Sequence, residues 1–364
     1  MTIFMQSIQT SDSVIHFNKR CYEAIDSYLN ASQFSVIFIL VDENTKAYCL
    51  QKFLDELEIN APIEILEIKS GEVHKTIDTC TNLWRALSEN NADRKSLLIN
   101  LGGGVITDLG GFVASTYKRG IRYINVPTTL LAMVDASVGG KTGVDLDNIK
   151  NQVGIIKSGD MVLIDTTFLE TLPKQQIRSG MAEMLKHGLI HGTDYWIKMV
   201  NYSKTDESTL DNLIHGSVLI KKEVVAIDPN ELNLRKTLNF GHTLGHAIES
   251  YFMEDELKPQ LLHGEAIAVG MILECYISYK NLGFPLKTLE QLVKLVKTLY
   301  QPVIIEEDDF FQIIELLKFD KKNDNGNINF VLLEDIGTHK IDCKVENALI
   351  IEAFKYYSSQ MKSI

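Results

Sequence analysis

Up to residue 172 the sequence alternates short apolar, β-branched runs with amphipathic stretches, and past that point the strand-like runs stop. "FSVIFILVDEN" (34–44), "IEILEI" (63–68) and "SLLINLGGG" (96–104) read as strands. "TKAYCLQKFLDEL", "KTIDTCTNLWRALSE" and "VITDLGGFVASTY" read as the helices between and after them, and "YINVPTT" and "MVLID" complete the strand set. Strands separated by helices imply βαβ units and a parallel sheet, and such sheets hold ligands at the carboxyl ends of their strands. From residue 173 the pattern is helical, through "LPKQQIRSGMAEMLKHGLI", "LDNLIHGSVLIKKEVVAI", "TLNFGHTLGHAIESYF", "HGEAIAVGMILECYISYKNL" and "LKTLEQLVKLVKTL". The expected architecture is an α/β domain over 1–172, with a parallel sheet, and an all-α domain over 173–364.

Composition narrows the function classes. A chain of 364 residues exceeds what one core usually supports, which agrees with two domains. The net charge of −12 argues against binding nucleic acid through phosphate contacts. A few lysines in a cleft can still attract a small anion. The five cysteines (Cys21, Cys49, Cys80, Cys275 and Cys343) are scattered and never form a C-x-x-C pair, as expected of reduced thiols in a cytoplasmic protein. "MTIFMQSIQT" has no basic segment followed by an apolar one, so no signal peptide is expected. The longest apolar runs have strand length, too short for a membrane span.

Several stretches carry chemistry. "NLGGGVITDLGG" (100–111) places glycines between a strand end and a helix, where backbone and helix N-terminus can approach a pyrophosphate. The strict G-x-G-x-x-G fingerprint is absent. "VDEN" (41–44) and "SGEVHK" (70–75) end other strands of the sheet, and Asp42 suits a ribose hydroxyl. "VDASVGGKTGVD" is not a P-loop, because Asp135 stands where the first glycine is required and no helix is expected to follow. Lys141, and then Lys150 with Asn151, still offer anion ligands in a turn-rich segment.

In the helical half, Glu183 and Lys186 lie three apart in an apolar setting, and a buried carboxylate there needs a partner or a metal. His242 and His246 in "HTLGH" share a helix face and could both reach one ion. Thr243 replaces the glutamate of a zinc protease helix. His263 opens the next helical stretch, so Glu183, His242 and His263 could form a three-ligand set with an open position. Spacing leaves Glu183, His242 and His246 equally open. Lys221, Lys222, Glu231, Arg235 and Asn239 precede the histidine stretch, and arginine suits bidentate carboxylate binding.

Together "SGEVHK", "GGGVITDLGGFVASTYKRGI", "VPTTLLAMVDASVGGKTGVD", "KNQVG", "FLETLP", "SGMAEMLKHG", "LRKTLNFGHTLGHAIE", "LHGEAIAVGM" and "DKKNDNG" resemble the 3-dehydroquinate synthase family of the shikimate pathway, in family order from about residue 36 to 337. The resemblance implies a Rossmann-like NAD-binding domain followed by a helical metal- and substrate-binding domain. It implies a lyase that uses NAD and one divalent metal, zinc or cobalt, to convert 3-deoxy-D-arabino-heptulosonate 7-phosphate into 3-dehydroquinate and phosphate. Glu183, His242 and His263 would hold the metal. NAD would contact Asp42, Glu43 and Asn44, then Ser70, Gly71, Glu72, Val73, His74 and Lys75. Gly103, Gly104, Val105, Ile106, Thr107 and Asp108 would follow, with Thr128, Thr129, Lys141, Lys150, Phe168, Leu169, Glu170 and Thr171. Asp135, Lys186, Lys221, Glu231 and Arg235 would surround the substrate's hydroxyls and carboxylate. Lys141, Asn151, Asn239, His246 and one of Lys321 and Lys322 would bind its phosphate. Arg119 would reach the phosphate site of a neighbouring subunit, which implies a homodimer.

Two departures stand out. "VDLDNIKN" lacks the Pro-x-Gly expected before Lys150 and Asn151, and "SYFMEDELKPQLLHG" before the third ligand is longer than expected. The rival readings are a sibling sugar-phosphate cyclase, a metal-dependent polyol dehydrogenase and a non-catalytic protein with a structural metal, against which the open ligand position speaks. The dehydrogenase would release NADH and has no need of phosphate-binding lysines.

Overall fold

A computed structural model describes residues 5–58, 61–146, 149–202, 207–255, 257–317 and 328–362. The chain forms two compact units, Met1–Pro173 and Lys174–Ile364.

The first unit is built on a seven-stranded sheet. In chain order its strands are β1 (Ile8–Gln9), β2 (Val14–Phe17), β3 (Ile37–Asp42), β4 (Ile63–Ile68), β5 (Leu97–Gly102) and β6 (Arg122–Pro127). A hairpin follows, β7 (Lys141–Leu146) with β8 (Ile149–Ile156), and β9 (Met161–Ile164) returns to the sheet. The spatial order is β1-β2-β9-β6-β5-β3-β4, parallel except for the β1–β2 pair. β3 and β5 are buried along almost their whole length, so they read as unbroken apolar runs, as covered parallel strands do. The chain runs from β3 outward to β4, then crosses back to β5 and continues toward β6 and β9. Strand order therefore reverses between β3 and β5, and the crevice at their carboxyl ends is where such sheets bind ligands.

The helix Gly104–Thr116 springs from the end of β5 and is buried over most of its length. Glycine lets it lie on the sheet: a Cβ on Gly110 would come within 2.9 Å of Leu40 Cδ2. The β7–β8 hairpin packs against the same helix, where a Cβ on Gly111 would meet Thr142 Cγ2 at 2.5 Å. The glycine loop before Lys141, with Gly139 at φ 101° and Gly140 at φ 70°, thus leads into a strand and not into a helix.

The second unit is mainly helical. Its central element is the helix His263–Leu282, buried along most of its residues and stopped by Gly283 in the left-handed region at φ 77°. Around it pack Lys174–His191, His242–Glu254, Leu286–Leu299 and Asn347–Met361. The unit is not all-α. An antiparallel hairpin, β10 (Phe330–Asp335) with β11 (Thr338–Cys343), lays its buried first strand on the central helix. No helix among the described residues is long and apolar enough to cross a membrane.

Candidate functional site

In the second unit, three helices bring one carboxylate, one lysine and three imidazoles together. Glu183 and Lys186 sit on the helix Lys174–His191, at 0% and 1% exposure. A carboxylate removed from water needs compensating charge, and the Lys186 ammonium forms an ion pair with Glu183 Oε2. Oε1 faces His242 Nε2 at 3.4 Å and His263 Nε2 at 3.8 Å. Burial works to raise the Glu183 pKa, but Lys186 and His242 outweigh it and hold the carboxylate well below its ordinary range. Burial would likewise lower the His263 imidazole, yet Glu183 and Glu249 carry it up to about 9.

The outer nitrogens of the two rings are also committed. His242 Nδ1 lies 3.1 Å from the carbonyl of Phe240, and His263 Nδ1 lies 3.3 Å from Glu249 Oε2. His246 joins the group from one turn along its helix, its ring centroid 5.1 Å from His242 and 5.7 Å from His263. Donor atoms of the three histidines lie within 4.8 Å of one another.

This set fits a divalent ion. Ligand atoms about 2.1 Å from one tetrahedral ion lie about 3.4 Å apart, close to the two imidazole–carboxylate separations. The oxygens of Glu183 accept no hydrogen bond of good geometry among the described residues. Imidazole and carboxylate donors in a three-ligand set suit zinc or cobalt with a position left open.

Local sequence explains the convergence. Gly241, at φ 78°, turns the chain into the helix His242–Glu254, and a Cβ there would meet Met271 Cγ at 2.5 Å. The fully buried Glu274 accepts from the main-chain N–H of Gly241 (2.7 Å) and of Leu244 (3.1 Å), anchoring the positive end of that helix. Gly270 faces the main chain of Gly241 and Gly245, and a Cβ on it would stand 2.7 Å from Gly245 N. At the head of the central helix, Gly264 N–H donates to Ser179 Oγ at 3.0 Å, docking His263 onto the helix of Glu183.

The cation-rich segment lies in the same unit. Asp228 accepts from the N–H groups of Leu232 (3.0 Å), Asn233 (2.7 Å) and Arg235 (3.0 Å), closing the chain into a tight loop. Glu231 in this loop has φ 59° and accepts from Asn239 Nδ2 at 2.9 Å. Arg235 is 2% exposed and donates through Nη1 to the Pro229 carbonyl at 2.7 Å; Lys221 is buried as well. Lys321 and Lys322 lie outside the described residues.

In the first unit, the expected cofactor residues follow the carboxyl ends of parallel strands. Asp42 closes β3, and its Oδ1 caps the next turn through Thr45 N–H at 2.8 Å. Glu43 accepts from Ser70 N–H at 2.8 Å, linking the β3 and β4 ends, and Asn44 and Val73 are exposed there. Gly103 caps the helix after β5, and a Cβ on it would come 3.0 Å from Thr129 Cγ2. Thr128 N–H donates to the Gly102 carbonyl at 3.0 Å. Ile106, Thr107, Phe168 and Leu169 are buried, which leaves their side chains as packing under this edge.

Lys75 is 3% exposed and bonds Asp108 Oδ2 at 2.7 Å and Asn151 Oδ1 at 2.6 Å. Burial would lower the Lys75 pKa, but Asp108 and Glu72 raise it overall. Asn151, at φ 51°, therefore ties the β7–β8 hairpin to the β4 end, and Lys141 and Lys150 lie on that hairpin. Asp135 stands in a helical turn before it. Arg119 is exposed, at φ 68°, in a left-handed run from Lys118 to Gly120.

Three further residues of this arrangement carry weaker marks in the sequence. Glu249 shares the helix face of His242 and His246, at i and i+7 from the first, a spacing that was legible. Glu274 is a single acid inside "MILECY", the mark of a buried, partnered carboxylate. Asp228 stands before Pro229 and at a helix end, a capping position.

The chain matches the family model described as 3-dehydroquinate synthase N-terminal over residues 65–179, and the C-terminal model of the same family over 180–323. It is 41% identical over 336 residues to a 3-dehydroquinate synthase of Parabacteroides distasonis, covering 92% of this chain and 94% of the relative. It is 38% identical over 342 residues to a 3-dehydroquinate synthase of Clostridium tetani, covering 92% and 89%. A solved 2-deoxy-scyllo-inosose synthase, in complex with carbaglucose-6-phosphate, NAD+ and Co2+, superposes with TM-score 0.82 at 27% identity, covering 96% of this chain and all of that one.

Proposed function

The chain belongs to the 3-dehydroquinate synthase family, and on that premise we propose that it converts 3-deoxy-D-arabino-heptulosonate 7-phosphate into 3-dehydroquinate and phosphate. The observation that carries this most directly is the buried Glu183, with Lys186 on one oxygen and the Nε2 atoms of His242 and His263 facing the other.

Glu183, His242 and His263 would hold one divalent ion, and the carboxyl ends of β3, β4 and β5, with Asp42, Lys75 and Gly103, would hold NAD. Bound NAD would supply reversible oxidation at one substrate carbon, and the ion would polarise the neighbouring substrate oxygens. The chain's own residues bind and orient. In the second unit Lys186 and Lys221 would bind substrate hydroxyls, and the planar fork of Arg235, steadied by Glu231's loop, would take the carboxylate; in the first unit Asp135 is the candidate for a substrate hydroxyl. In the second unit Asn239 and His246 would take the phosphate; Lys141 and Asn151 of the first unit, and Arg119 from a second subunit, are the further candidates for it. Asn151 can do so through its Nδ2 while its Oδ1 keeps the bond from Lys75. Water is excluded around Glu183 by the glycine-tight helix crossings, which strengthens each charge–charge contact there.

A sibling cyclase reading is weaker, because the matches at 41% and 38% are to synthases and that to the inosose synthase is at 27%. We also propose a cytoplasmic homodimer; Arg119's exposed position fits the dimer, and a monomer in sedimentation at assay concentration would contradict it.

The test is production of phosphate and 3-dehydroquinate from the heptulosonate phosphate with NAD and zinc supplied; no product would overturn the reading. The two histidines of "HTLGH" should also separate. His242→Ala loses the metal, whereas His246→Ala keeps it and raises KM. Equal metal loss in both would contradict this division.

A further inference from the structure

The ring of His263 has an unusual mooring. It is the first residue of its helix, so no preceding turn restrains its side chain. Its Nε2 points toward Glu183, and the opposite nitrogen, Nδ1, meets Glu249 Oε2 at 3.3 Å. Glu249 is itself 9% exposed, on the helix that carries His242 and His246. Where Gly245 and Gly270 let this helix close on the central one, Glu249 is brought to the head of its neighbour. His242 differs, since its Nδ1 is met by a backbone carbonyl two residues away in its own segment.

We infer that Glu249 is a positioning residue for the metal centre: by accepting the Nδ1 proton it fixes the ring of His263 with the Nε2 lone pair aimed at the ion. The inference rests on the proposed ligand set and extends it. An imidazole binds metal through the nitrogen without a proton, and the partner of the other nitrogen decides which one that is. A carboxylate also raises the basicity of the ligating nitrogen more than a carbonyl does. Glu249 acts on the ion through the ring of His263.

The experiment is titration of the metal-depleted full chain with Co2+ alone, followed by calorimetry and by the visible absorption of the bound ion. Glu249→Ala should bind Co2+ about 10–100-fold more weakly, with an altered spectrum. Glu249→Gln, which can still accept from Nδ1 through its amide oxygen, should recover much of the affinity and the original band shape. Melting of both metal-free variants at the wild-type temperature separates this effect from misfolding. Wild-type affinity in Glu249→Ala would overturn the inference, as would equal losses in the Ala and Gln variants. If the wild-type chain takes up no Co2+, the ligand set itself fails, and this inference with it.

Discussion

Glu183 shows at one residue how the centre manages charge. A wholly buried carboxylate is tolerable only beside compensating charge, and in the metal-free chain Lys186 supplies most of it. Lys186→Met should therefore cost about 3–5 kcal/mol of stability in the metal-free protein, the usual penalty for orphaning a buried charge. Zinc should restore much of that loss, because the ion replaces the missing positive charge. Urea midpoints with and without zinc check this, and a loss unchanged by zinc would contradict it. Asp228 provides a pH handle. Burial alone would raise its pKa, but three main-chain N–H groups hold it below the ordinary carboxylate value. Its unfolded pKa is about 3.9, so its contribution is complete above that value and is lost as pH falls through the lower folded value. The wild-type urea midpoint should fall more steeply than that of Asp228→Asn as pH drops below about 4. Parallel curves would show that Asp228 is not the group responsible.

At the scale of elements, glycine contacts set where the ligands meet. A methyl group on Gly270 would press on the main chain of Gly241 and Gly245, the turn that launches His242. Gly270→Ala should cost about 1–3 kcal/mol by overpacking and should also weaken metal uptake by moving His242 from His263. Gly283→Ala is the comparison. Nothing lies within 4 Å of its added Cβ, so the cost is only that of a left-handed backbone, about 1–2 kcal/mol, and metal uptake should be intact. Equal metal loss in the two variants would refute the helix-crossing account. These elements were largely legible in the sequence, since apolar runs gave β3 and β5 and helical periodicity gave the helices of Glu183 and His242. The β10–β11 hairpin was not, although "FVLLEDIGTHKIDC" carries a turn glycine, Gly337 at φ 79°. The partnership of Glu249 with His263 was hidden for a different reason. It depends on how closely two helices cross, and local periodicity does not encode that distance.

For the molecule as a whole, the net charge says little about the charge kept from solvent. The chain carries −12, yet Lys75, Lys186, Lys221 and Arg235 are all buried. Cations kept from solvent are little screened, so an anionic sugar acid can bind a protein that repels it at long range. The inventory is also divided: the first unit has the glycine-rich strand ends proposed to hold NAD, and the second has the proposed metal ligands. In the proposed reaction NAD is reduced and reoxidised within one turnover. The direct test counts phosphate released per NAD when NAD is limiting and zinc is present, while NADH absorbance is followed. Many phosphates per NAD, with no net NADH, are expected. One NADH accumulated for each substrate consumed, without phosphate release, would contradict the proposed reaction.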